Sequence, residues 1–362
     1  MVDIDKLLRA VVEGGASDLH LAVSSPPIAR VNGKLRMVKG EGGLTQKDIE
    51  EVLSSIASPE DVAEFQRDKE LDFSYARPEL ARFRVNACYQ RGTMALSFRI
   101  LPPNIPTPEE LGLPPVCLNL VSQLQGLVLV TGPTGSGKST TLAAMINHLN
   151  ETTSCRIITL EDPIEFLHQN KKCMIIQREM GGDAHSFTQS LRRTLRQDPD
   201  VIMIGELRDL ETVSLALAAA ETGHLVLGTV HTNGAAESVE RLVGIFPPEQ
   251  QHQIQFQLSI SIAGVIFQVL LPRSGGRGRI AAFEVLVGTA AIKNLIRQNQ
   301  VPQINSYMFM GGQFGMQTIE QSLASLVERG LVSKEDAWAR ASDRSTLEKL
   351  LAPGVGNDRD AN

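Results

Sequence analysis

The sequence predicts a chain of two domains, a small α+β domain followed by a larger α/β domain with a parallel sheet. Three observations support this prediction. The length of 362 residues exceeds that of a typical single domain. A proline-dense stretch divides the chain after about residue 100, and beyond it strand-length apolar runs alternate with helix-length segments. With 42% apolar and 21% charged residues, the composition is ordinary for a soluble globular protein.

Residues 1–100 are predicted to form the small α+β domain. A short amphipathic helix is expected over Asp5–Glu13, and a second helix over Thr45–Ile56. Six short strands are predicted at 19–23, 28–31, 35–38, 71–75, 82–89 and 94–100. The Asn32-Gly33 pair between the second and third strands indicates a hairpin, because both residue types tolerate the backbone angles of a tight turn.

Residues 101–118 are predicted to link the two domains. Proline cannot continue a helix or a central strand, because its ring clashes with the preceding turn and its nitrogen has no hydrogen to donate. We therefore expect a semi-rigid linker that allows hinge motion. The prolines of this stretch are Pro102, Pro103, Pro106, Pro108, Pro114 and Pro115.

Residues 119–362 are predicted to form the α/β domain, with a helical tail after Gln317. Four apolar runs rich in leucine and β-branched residues are typical of strands that are buried on both faces. Their alternation with helix-length segments predicts parallel strands joined by crossover helices. The last residues, 353–362, are expected to fray. The four runs are Leu127–Thr131, Arg156–Leu160, Val201–Ile204 and Leu225–Val230.

A phosphate-binding loop follows the first of these runs. Residues 132–139 match the pattern G-x-x-x-x-G-K-[ST], with a predicted strand before them and a predicted helix after them. Glycines let the backbone turn tightly and direct N–H groups at a phosphate. Lys138 adds a positive charge near the β- and γ-phosphates, the Ser139 hydroxyl suits Mg²⁺, and the helix dipole favours an anion. The predicted nucleotide-binding residues are Gly132, Pro133, Thr134, Gly135, Ser136, Gly137, Lys138, Ser139 and Thr140.

Acidic residues follow the next two apolar runs. Glu161, Asp162 and Glu165 come after one run, and Glu206 comes after the other. Ligands of open parallel sheets bind at the carboxyl ends of the strands. Hydrolysis of a bound nucleotide needs a carboxylate that orients water and another group that holds Mg²⁺. This acidic set is therefore predicted to be catalytic, although any one acid in such a position can instead be a helix N-cap or a solvated loop residue.

Two histidines lie at the ends of the run Leu225–Val230. His231 follows the carboxyl end of the run, where a side chain can sense a γ-phosphate, so the spacing favours His231. His224 precedes the run, and its spacing alone gives it no role.

Four segments are similar to the Walker A, Asp, Walker B and His boxes of the secretion-superfamily ATPases. They are GPTGSGKST (132–140), ITLEDPIEF (158–166), DPDVIMIGELRD (198–209) and AETGHLVLGTVHT (220–232). Within that superfamily the chain resembles, over nearly its whole length, the PilT-type retraction ATPases of type IV pili. The segment AIKNLIRQ is similar to a C-terminal motif of this branch, which usually has Arg where Lys293 stands and Glu where Gln298 stands.

The resemblance implies a PAS-like N-terminal domain joined to a RecA-like ATPase domain. It implies a hexameric motor that hydrolyses ATP with Mg²⁺ to power pilus retraction and twitching motility, with ATP bound between the domains of one chain and near its neighbour. Lys138 is expected to contact phosphate, and Ser139 to hold Mg²⁺. Glu165 corresponds to the general base, and Glu206 to the Walker B acid that organises Mg²⁺ and water.

The resemblance also implies histidines and arginines that recognise the γ-phosphate. The His box of the family contains both histidines, which adds His224 to His231. Ring ATPases stabilise charge on the γ-phosphate with arginines that can come from another chain or domain. Arg82 and Arg84 alternate on a predicted strand and so share one face. Surface salt bridging is the alternative, but we favour these two arginines as groups that reach the nucleotide, because their fork of donors suits phosphate. The candidates are His224, His231, Arg82, Arg84, Arg193, Arg196 and Arg208.

The implied partners are further copies of the chain in a homo-hexamer, a pilus platform protein of the inner membrane, and the rest of the pilus machinery. The first residues lack the basic and apolar segments of a signal peptide. We therefore expect a cytoplasmic protein that is peripheral to the cytoplasmic face of the inner membrane. The net charge of −6 disfavours nucleic acid as a partner, because proteins that grip phosphate backbones usually carry a basic excess.

Four alternatives remain open. Two lie within the superfamily: an accessory retraction ATPase, and a pilus-assembly or secretion ATPase, which usually has a longer N-terminal region and an insert with paired CxxC motifs. The four cysteines of this chain include no CxxC pair. Two belong to other classes: a RecA-like nucleic-acid motor, and a nucleotide-binding switch that does not hydrolyse its ligand.

Overall fold

The computed structural model describes residues 2–352, apart from residues 32, 39, 41, 103 and 277. Several sequence predictions fall on residues outside that description, and they stay predictions. They concern the hairpin residue Asn32, the linker residue Pro103 and the tail 353–362.

The chain divides into two compact units. The N-terminal unit contains the residues up to Asn104 together with the short segment Pro163–Leu167. The second unit contains Ile105–Asp162 and the chain from His168 onward. The segment 163–167 therefore leaves the second unit to join the first and then returns.

The N-terminal unit is a six-stranded antiparallel sheet with three helices. The strands lie in the order β3-β2-β1-β6-β5-β4, and side chains of all three helices share one apolar core with one face of the sheet. The α+β architecture is the predicted one. The elements are α1 (Ile4–Glu13), β1 (Asp18–Ala22), β2 (Ile28–Val31), β3 (Lys34–Met37), α2 (Gln46–Ile56), α3 (Pro59–Asp68), β4 (Glu70–Arg77), β5 (Ala81–Gln90) and β6 (Thr93–Leu101).

Helix α3 was not predicted, although its start carries strong local signals. Ser58 and Asp61 form a capping box, in which each side chain accepts the other's backbone N–H, and Pro59 occupies the first turn. Only Phe65 of this helix is buried. The apolar periodicity that usually reveals a helix is therefore weak. The capping residues at its start are the sequence feature that indicates this helix.

The predicted linker contains two short helices rather than a continuous irregular segment. They are α4 (Pro108–Leu111) and α5 (Pro115–Val121), and each has its proline at the first helical position. Proline is well suited to that position, because the N–H it lacks would have no partner inside the helix. The proline density therefore marks two helix starts as well as breaks between elements.

The second unit is built on a seven-stranded sheet. Its remaining elements are β7 (Gly126–Thr131), α6 (Lys138–Thr152), β8 (Arg156–Glu161), β9 (Met174–Glu179), α7 (Phe187–Thr194), β10 (Val201–Ile204), α8 (Leu210–Glu221), β11 (Leu225–Val230), α9 (Ala235–Gly244), α10 (Pro248–Ser261), β12 (Ile262–Pro272), β13 (Arg279–Val287), α11 (Ala290–Arg297), α12 (Ile304–Met310), α13 (Ile319–Glu328), α14 (Lys334–Arg340) and α15 (Arg344–Leu351), with 3₁₀ turns at 301–303 and 311–314.

The strands of this sheet lie in the order β13-β12-β7-β11-β10-β8-β9, and all neighbours are parallel except β12 and β13. The four predicted strands are confirmed as β7, β8, β10 and β11. All residues of β7, β10 and β11 are buried, as expected for strands covered on both faces. The predicted α/β class of this domain is thereby confirmed.

The register brings the carboxyl ends of four strands to one edge of the sheet. Thr131 at the end of β7 pairs with Val230 at the end of β11, and Ile204 of β10 pairs with Gly228 of β11. Ile204 also pairs with Leu160 of β8. The loops that follow these strands are therefore neighbours, and they carry most of the residues that the sequence singled out. No helix of the described residues combines the length and apolar character needed to cross a bilayer.

Candidate active site

The loop between β7 and α6 turns back sharply through three glycines. Gly132, Gly135 and Gly137 have φ values of 143°, 77° and 91°, which L-residues with side chains rarely adopt. A Cβ atom on Gly132 would also lie 2.4 Å from the carbonyl oxygen of Gln268. The backbone of the loop therefore passes so close to β12 that only glycine fits there, and the loop leads directly into the N-terminus of α6, where an anion is favoured.

Lys138 is the first residue of α6, and its side chain folds back across the loop. Its Nζ donates hydrogen bonds to the carbonyl oxygens of Gly132, at 2.9 Å, and Pro133, at 3.1 Å. The side chain is buried, whereas residues 133–135 at the tip of the loop are exposed. The positive charge is thus held inside a cradle whose rim faces solvent, as a phosphate-binding loop requires.

Gln268 supports the loop from β12, and the sequence analysis did not single it out as a site residue. Its Nε2 donates to the carbonyl oxygen of Ser136 at 2.7 Å, and the side chain is 1% exposed. The Ser136 hydroxyl and Gln268 Oε1 are buried without a hydrogen-bond partner among the described residues. The sequence does contain a signal for this residue, because Gln268 is a single glutamine inside an otherwise apolar strand. A buried amide needs a hydrogen-bond partner, so its position indicates a specific contact.

Glu206, His231 and Arg208 meet beside the loop. Glu206 follows β10, and its Oε1 accepts a hydrogen bond from Arg208 Nε at 2.6 Å, while its Oε2 lies 3.4 Å from His231 Nε2. His231 follows β11, and its Nδ1 lies 3.5 Å from Lys138 Nζ. The structure thus brings together four of the predicted site residues, and they form a continuous chain from the loop lysine to an exposed arginine.

Glu206 is held in its ionised form. Its burial would raise the pKa of the carboxyl, but the hydrogen bond from Arg208 and the contact with His231 outweigh that effect, so the pKa lies below its ordinary value. The same hydrogen bond raises the pKa of the Arg208 guanidinium. A charged carboxylate at this edge of the sheet suits the predicted metal-side role.

The residues fit a Mg²⁺ ion on the basis of donor chemistry. Ser139 follows Lys138 in the first turn of α6 and is half-buried, and Glu206 supplies an ionised carboxylate at the neighbouring strand end. Hydroxyl and carboxylate oxygens are the hard donors that Mg²⁺ prefers. Thr140, the last residue predicted to contact the nucleotide, is also half-buried in α6.

Glu161 is buried at the end of β8, and its side chain is engaged within the second unit. Its Oε1 accepts hydrogen bonds from Thr159 Oγ1 at 2.6 Å and from Gln177 Nε2 at 3.0 Å. These bonds tie β8 to β9 at the start of the Asp-box loop. Among the acids of the predicted set, Glu161 therefore has a structural role.

Glu165 lies in the N-terminal unit, within the segment 163–167. Arg82 Nη1 donates to the carbonyl oxygen of Ile164, at 3.1 Å, so Arg82 holds this segment against β5. Arg84 Nε lies 3.6 Å from Asp72 Oδ1 on β4, as the salt-bridge interpretation expected. The two arginines share the face of β5 opposite to the core residue Phe83, as the alternation predicted.

The structure does not gather the other candidates around Lys138 within the second unit. Arg193 and Arg196 are exposed, at and just beyond the end of α7. His224 lies at the opposite end of β11 from His231, about 20 Å away for a strand of this length. Its Nδ1 donates to the carbonyl oxygen of Ala219 at 3.1 Å and closes a turn. Roles for these residues at a neighbouring chain's nucleotide stay predictions.

Comparison with known proteins gives matches over nearly the whole chain. Residues 2–337 match the family described as type II/IV secretion system protein. The type IV pilus retraction ATPase PilT of Pseudomonas aeruginosa is 47% identical over 340 residues, covering 94% of this chain and 98% of the relative. The type IV pilus ATPase PilU of the same organism is 40% identical over 359 residues, covering 99% of this chain and 94% of the relative.

A solved structure gives the same result at the level of the fold. The crystal structure of the pilus retraction motor PilT with bound ADP matches with a TM-score of 0.90 and 45% sequence identity. The match covers 96% of this chain and 100% of that structure's chain, so both units of the fold have counterparts there. From its sequence, its fold and its phosphate-binding loop, the chain belongs to the type II/IV secretion system protein family.

Proposed function

We propose that this chain is an ATP-hydrolysing motor that powers the retraction of a type IV pilus. The observation that carries the proposal is the meeting of Lys138, His231 and Glu206 at one edge of the sheet. It occurs in a chain that is 47% identical to a pilus retraction ATPase over 94% of its length. The nucleotide-binding loop supports ATP as substrate, and the ionised Glu206 supports turnover.

In this proposal each residue acts on a different part of the nucleotide. The loop amides and Lys138 bind the β- and γ-phosphates and fix their orientation. Ser139 and Glu206 hold Mg²⁺, which neutralises charge on the phosphate oxygens when it is bound. Glu165 accepts a proton from the attacking water. His231 lies next to Lys138, where it responds to the presence of the γ-phosphate.

The assembly is proposed to be a homo-hexamer whose sites are completed by neighbouring chains. Exposed arginines that the chain's own loop does not gather, such as Arg193 and Arg196, are suited to reach a neighbour's γ-phosphate. Arg82, Arg84, Arg208 and His224 are the other candidates for that role. We further propose that the ring works in the cytoplasm, at the inner-membrane platform protein of the pilus.

The test is Mg²⁺-dependent ATP turnover per chain as a function of protein concentration. If neighbours complete the sites, turnover per chain rises steeply with concentration and then levels off. Concentration-independent turnover would contradict completion by neighbours while leaving ATP hydrolysis intact. No turnover at any concentration would contradict the motor itself and would favour the non-hydrolysing switch.

An accessory retraction ATPase is the second candidate, because the segment AIKNLIRQ departs from the motif of the retraction branch at Lys293 and Gln298. The two candidates differ in what the chain does alone. In a cell whose own retraction ATPases are deleted, a principal motor restores retraction by itself. An accessory ATPase restores it only when a principal motor is supplied with it, so retraction without that addition would exclude the accessory role.

A further inference from the structure

We propose that Glu284 is a positioning residue that ties the N-terminus of α9, and with it the loop carrying His231, to the N-terminus of α13. This inference rests on the proposed function, because it gives His231 its place beside the phosphate. Glu284 lies on the edge strand β13, which is distant in sequence from the loop 231–234.

Each oxygen of the Glu284 carboxylate serves the start of a different helix. Oε1 accepts a hydrogen bond from the backbone N–H of Ala235, the first residue of α9, at 2.7 Å. Oε2 accepts one from the backbone N–H of Ile319, the first residue of α13, at 3.2 Å. The side chain is 7% exposed. The first N–H groups of a helix have no partner inside it, so this one carboxylate satisfies two helix starts.

The loop between β11 and α9 is short enough to transmit the position of Ala235 to His231. It consists of residues 231–234, with Val230 fixed in the sheet on one side and Ala235 fixed by Glu284 on the other. Thr232 Oγ1 of this loop lies 2.6 Å from Ser238 Oγ in the first turn of α9. A displacement of the first turn of α9 therefore moves the loop as a unit, because the loop has little slack.

A second buried carboxylate continues the connection away from the site. Glu320, in the first turn of α13, is 6% exposed, and its Oε1 accepts the backbone N–H groups of Ser342, at 3.1 Å, and Asp343, at 2.9 Å. Asp343 is the N-cap of α15, and Ser342 precedes it. Glu320 thus joins α13 to the start of α15 through one oxygen, and it provides a control because it is a second buried carboxylate whose hydrogen bonds do not involve α9.

Burial of a carboxylate is unfavourable, which argues that its two partners matter. Burial raises the pKa of Glu284 to about 7, and the charge of the nearby Glu320 acts in the same direction. An apolar side chain would avoid this cost but would leave both helix-start N–H groups without an acceptor. The carboxylate is suited to joining two helices, whereas a single cap needs one oxygen only.

The test compares Glu284→Gln with Glu320→Gln in the full-length protein. A glutamine keeps the shape of the side chain. In Glu284→Gln its oxygen can accept one N–H while its amide nitrogen faces the other, so one of the two bridges is lost. In Glu320→Gln the amide oxygen can keep both N–H groups, because Oε1 alone accepts them. For Glu284→Gln we expect kcat for ATP hydrolysis to fall about tenfold, with the KM for ATP changed less than about twofold. For Glu320→Gln, which removes the charge of a buried carboxylate and leaves the hydrogen bond to α9 in place, we expect both constants to stay within about twofold of wild type.

A double-mutant cycle with His231→Ala decides whether Glu284 acts through His231. If it does, His231→Ala/Glu284→Gln loses no more kcat than His231→Ala alone, because the interaction is already gone. Independent, multiplying losses would overturn the proposal. Equal losses in Glu284→Gln and Glu320→Gln would also overturn it, since they would reduce Glu284 to a stabilising residue.

Amide hydrogen exchange separates this inference from the proposed function. Faster exchange at residues 231–235 in Glu284→Gln, and not in Glu320→Gln, supports the positioning role without any ATP turnover. Unchanged exchange at these residues would overturn it even if the wild type is an active ATPase. A wild type without turnover would contradict the proposed function, and the exchange result would still decide whether Glu284 positions the loop.

Discussion

His231 bridges Lys138 and Glu206 through the two nitrogens of one imidazole ring. Nδ1 lies 3.5 Å from Lys138 Nζ, and Nε2 lies 3.4 Å from Glu206 Oε2. An ammonium group can only donate, so Nδ1 is the acceptor and Nε2 carries the hydrogen that faces the carboxylate. A phosphate that draws Lys138 away from the ring therefore changes the partners of His231 and Glu206 together.

Replacing Glu206 by glutamine should separate nucleotide binding from hydrolysis. The amide keeps the size of the side chain but loses the charge that Arg208 and Mg²⁺ require. We expect ATP binding to remain and kcat to fall by at least about 100-fold, which corresponds to about 2.7 kcal/mol of lost transition-state stabilisation. Turnover assays with and without Mg²⁺ measure this, with exposed Glu240→Gln on α9 as control. Wild-type kcat in Glu206→Gln would refute the assignment.

Replacing Lys138 by alanine should abolish turnover and leave the fold intact. The lysine donates to two carbonyl oxygens of the loop, and without it the phosphates lose their nearest positive charge. We expect at least about a 100-fold loss of turnover together with weaker binding of a fluorescent ATP analogue. A thermal melt close to that of wild type checks the fold, and exposed Lys172→Ala is the control. Retained activity would remove the phosphate-binding loop from the mechanism.

Replacing Gln268 by leucine should weaken the support that β12 gives to the phosphate-binding loop. The change removes the hydrogen bond to the carbonyl oxygen of Ser136, while leucine suits an otherwise apolar strand. We expect ATP affinity to fall about five- to tenfold, or about 1 to 1.4 kcal/mol, with the fold retained. Gln255→Leu in α10 is a matched control, because that buried glutamine bonds to Asn299 instead. Equal affinity losses in both variants would show a general destabilisation.

Strong local patterns made much of the second unit predictable. The runs that form β7, β10 and β11 are almost purely leucine and β-branched residues because both faces of these strands are buried. By contrast β12 follows α10 without a break, at Ser261 and Ile262, so no turn residue marks the boundary. Strand β9 is only partly buried at the sheet edge and ends in charged residues. The pattern of apolar residues that usually reveals a strand is therefore weak in it.

Some residues of the candidate site could likewise be predicted from the sequence, and others could not. Lys138, Glu206 and His231 stand immediately after apolar strands or inside a motif, so their place at one sheet edge could be predicted. Gln268 and Glu284 act through contacts with segments more than 30 residues away in sequence, and no local pattern encodes such contacts. The segment 163–167 joins the N-terminal unit although it follows a strand of the second, which no apolar pattern in Glu165's surroundings indicated.

Replacing Glu165 by glutamine tests the predicted general base. Arg82 fixes the neighbouring Ile164 carbonyl, so the segment should keep its place while the side chain loses its ability to take a proton. We expect ATP to bind with near wild-type affinity and kcat to fall by about 100-fold or more. Single-turnover and binding measurements, with exposed Glu109→Gln as control, separate the two steps. Wild-type turnover in Glu165→Gln would assign the base to another acid.

Glu284 also predicts how stability depends on pH. Burial raises the pKa of this carboxyl from an ordinary 4.5 to about 7, with Glu320 the nearby charged group that acts in the same direction. Between these values the folded chain holds a proton that the unfolded chain has released. The contribution of Glu284 to stability is therefore fully present below about pH 4.5 and is lost as the pH rises through about 7.

Denaturant unfolding from pH 5 to 8 should show wild type losing stability relative to Glu284→Gln, by up to on the order of 3 kcal/mol. Parallel pH curves for the two proteins would mean that Glu284 is already ionised in the folded chain at pH 5, stabilised by the two helix N-termini that it joins.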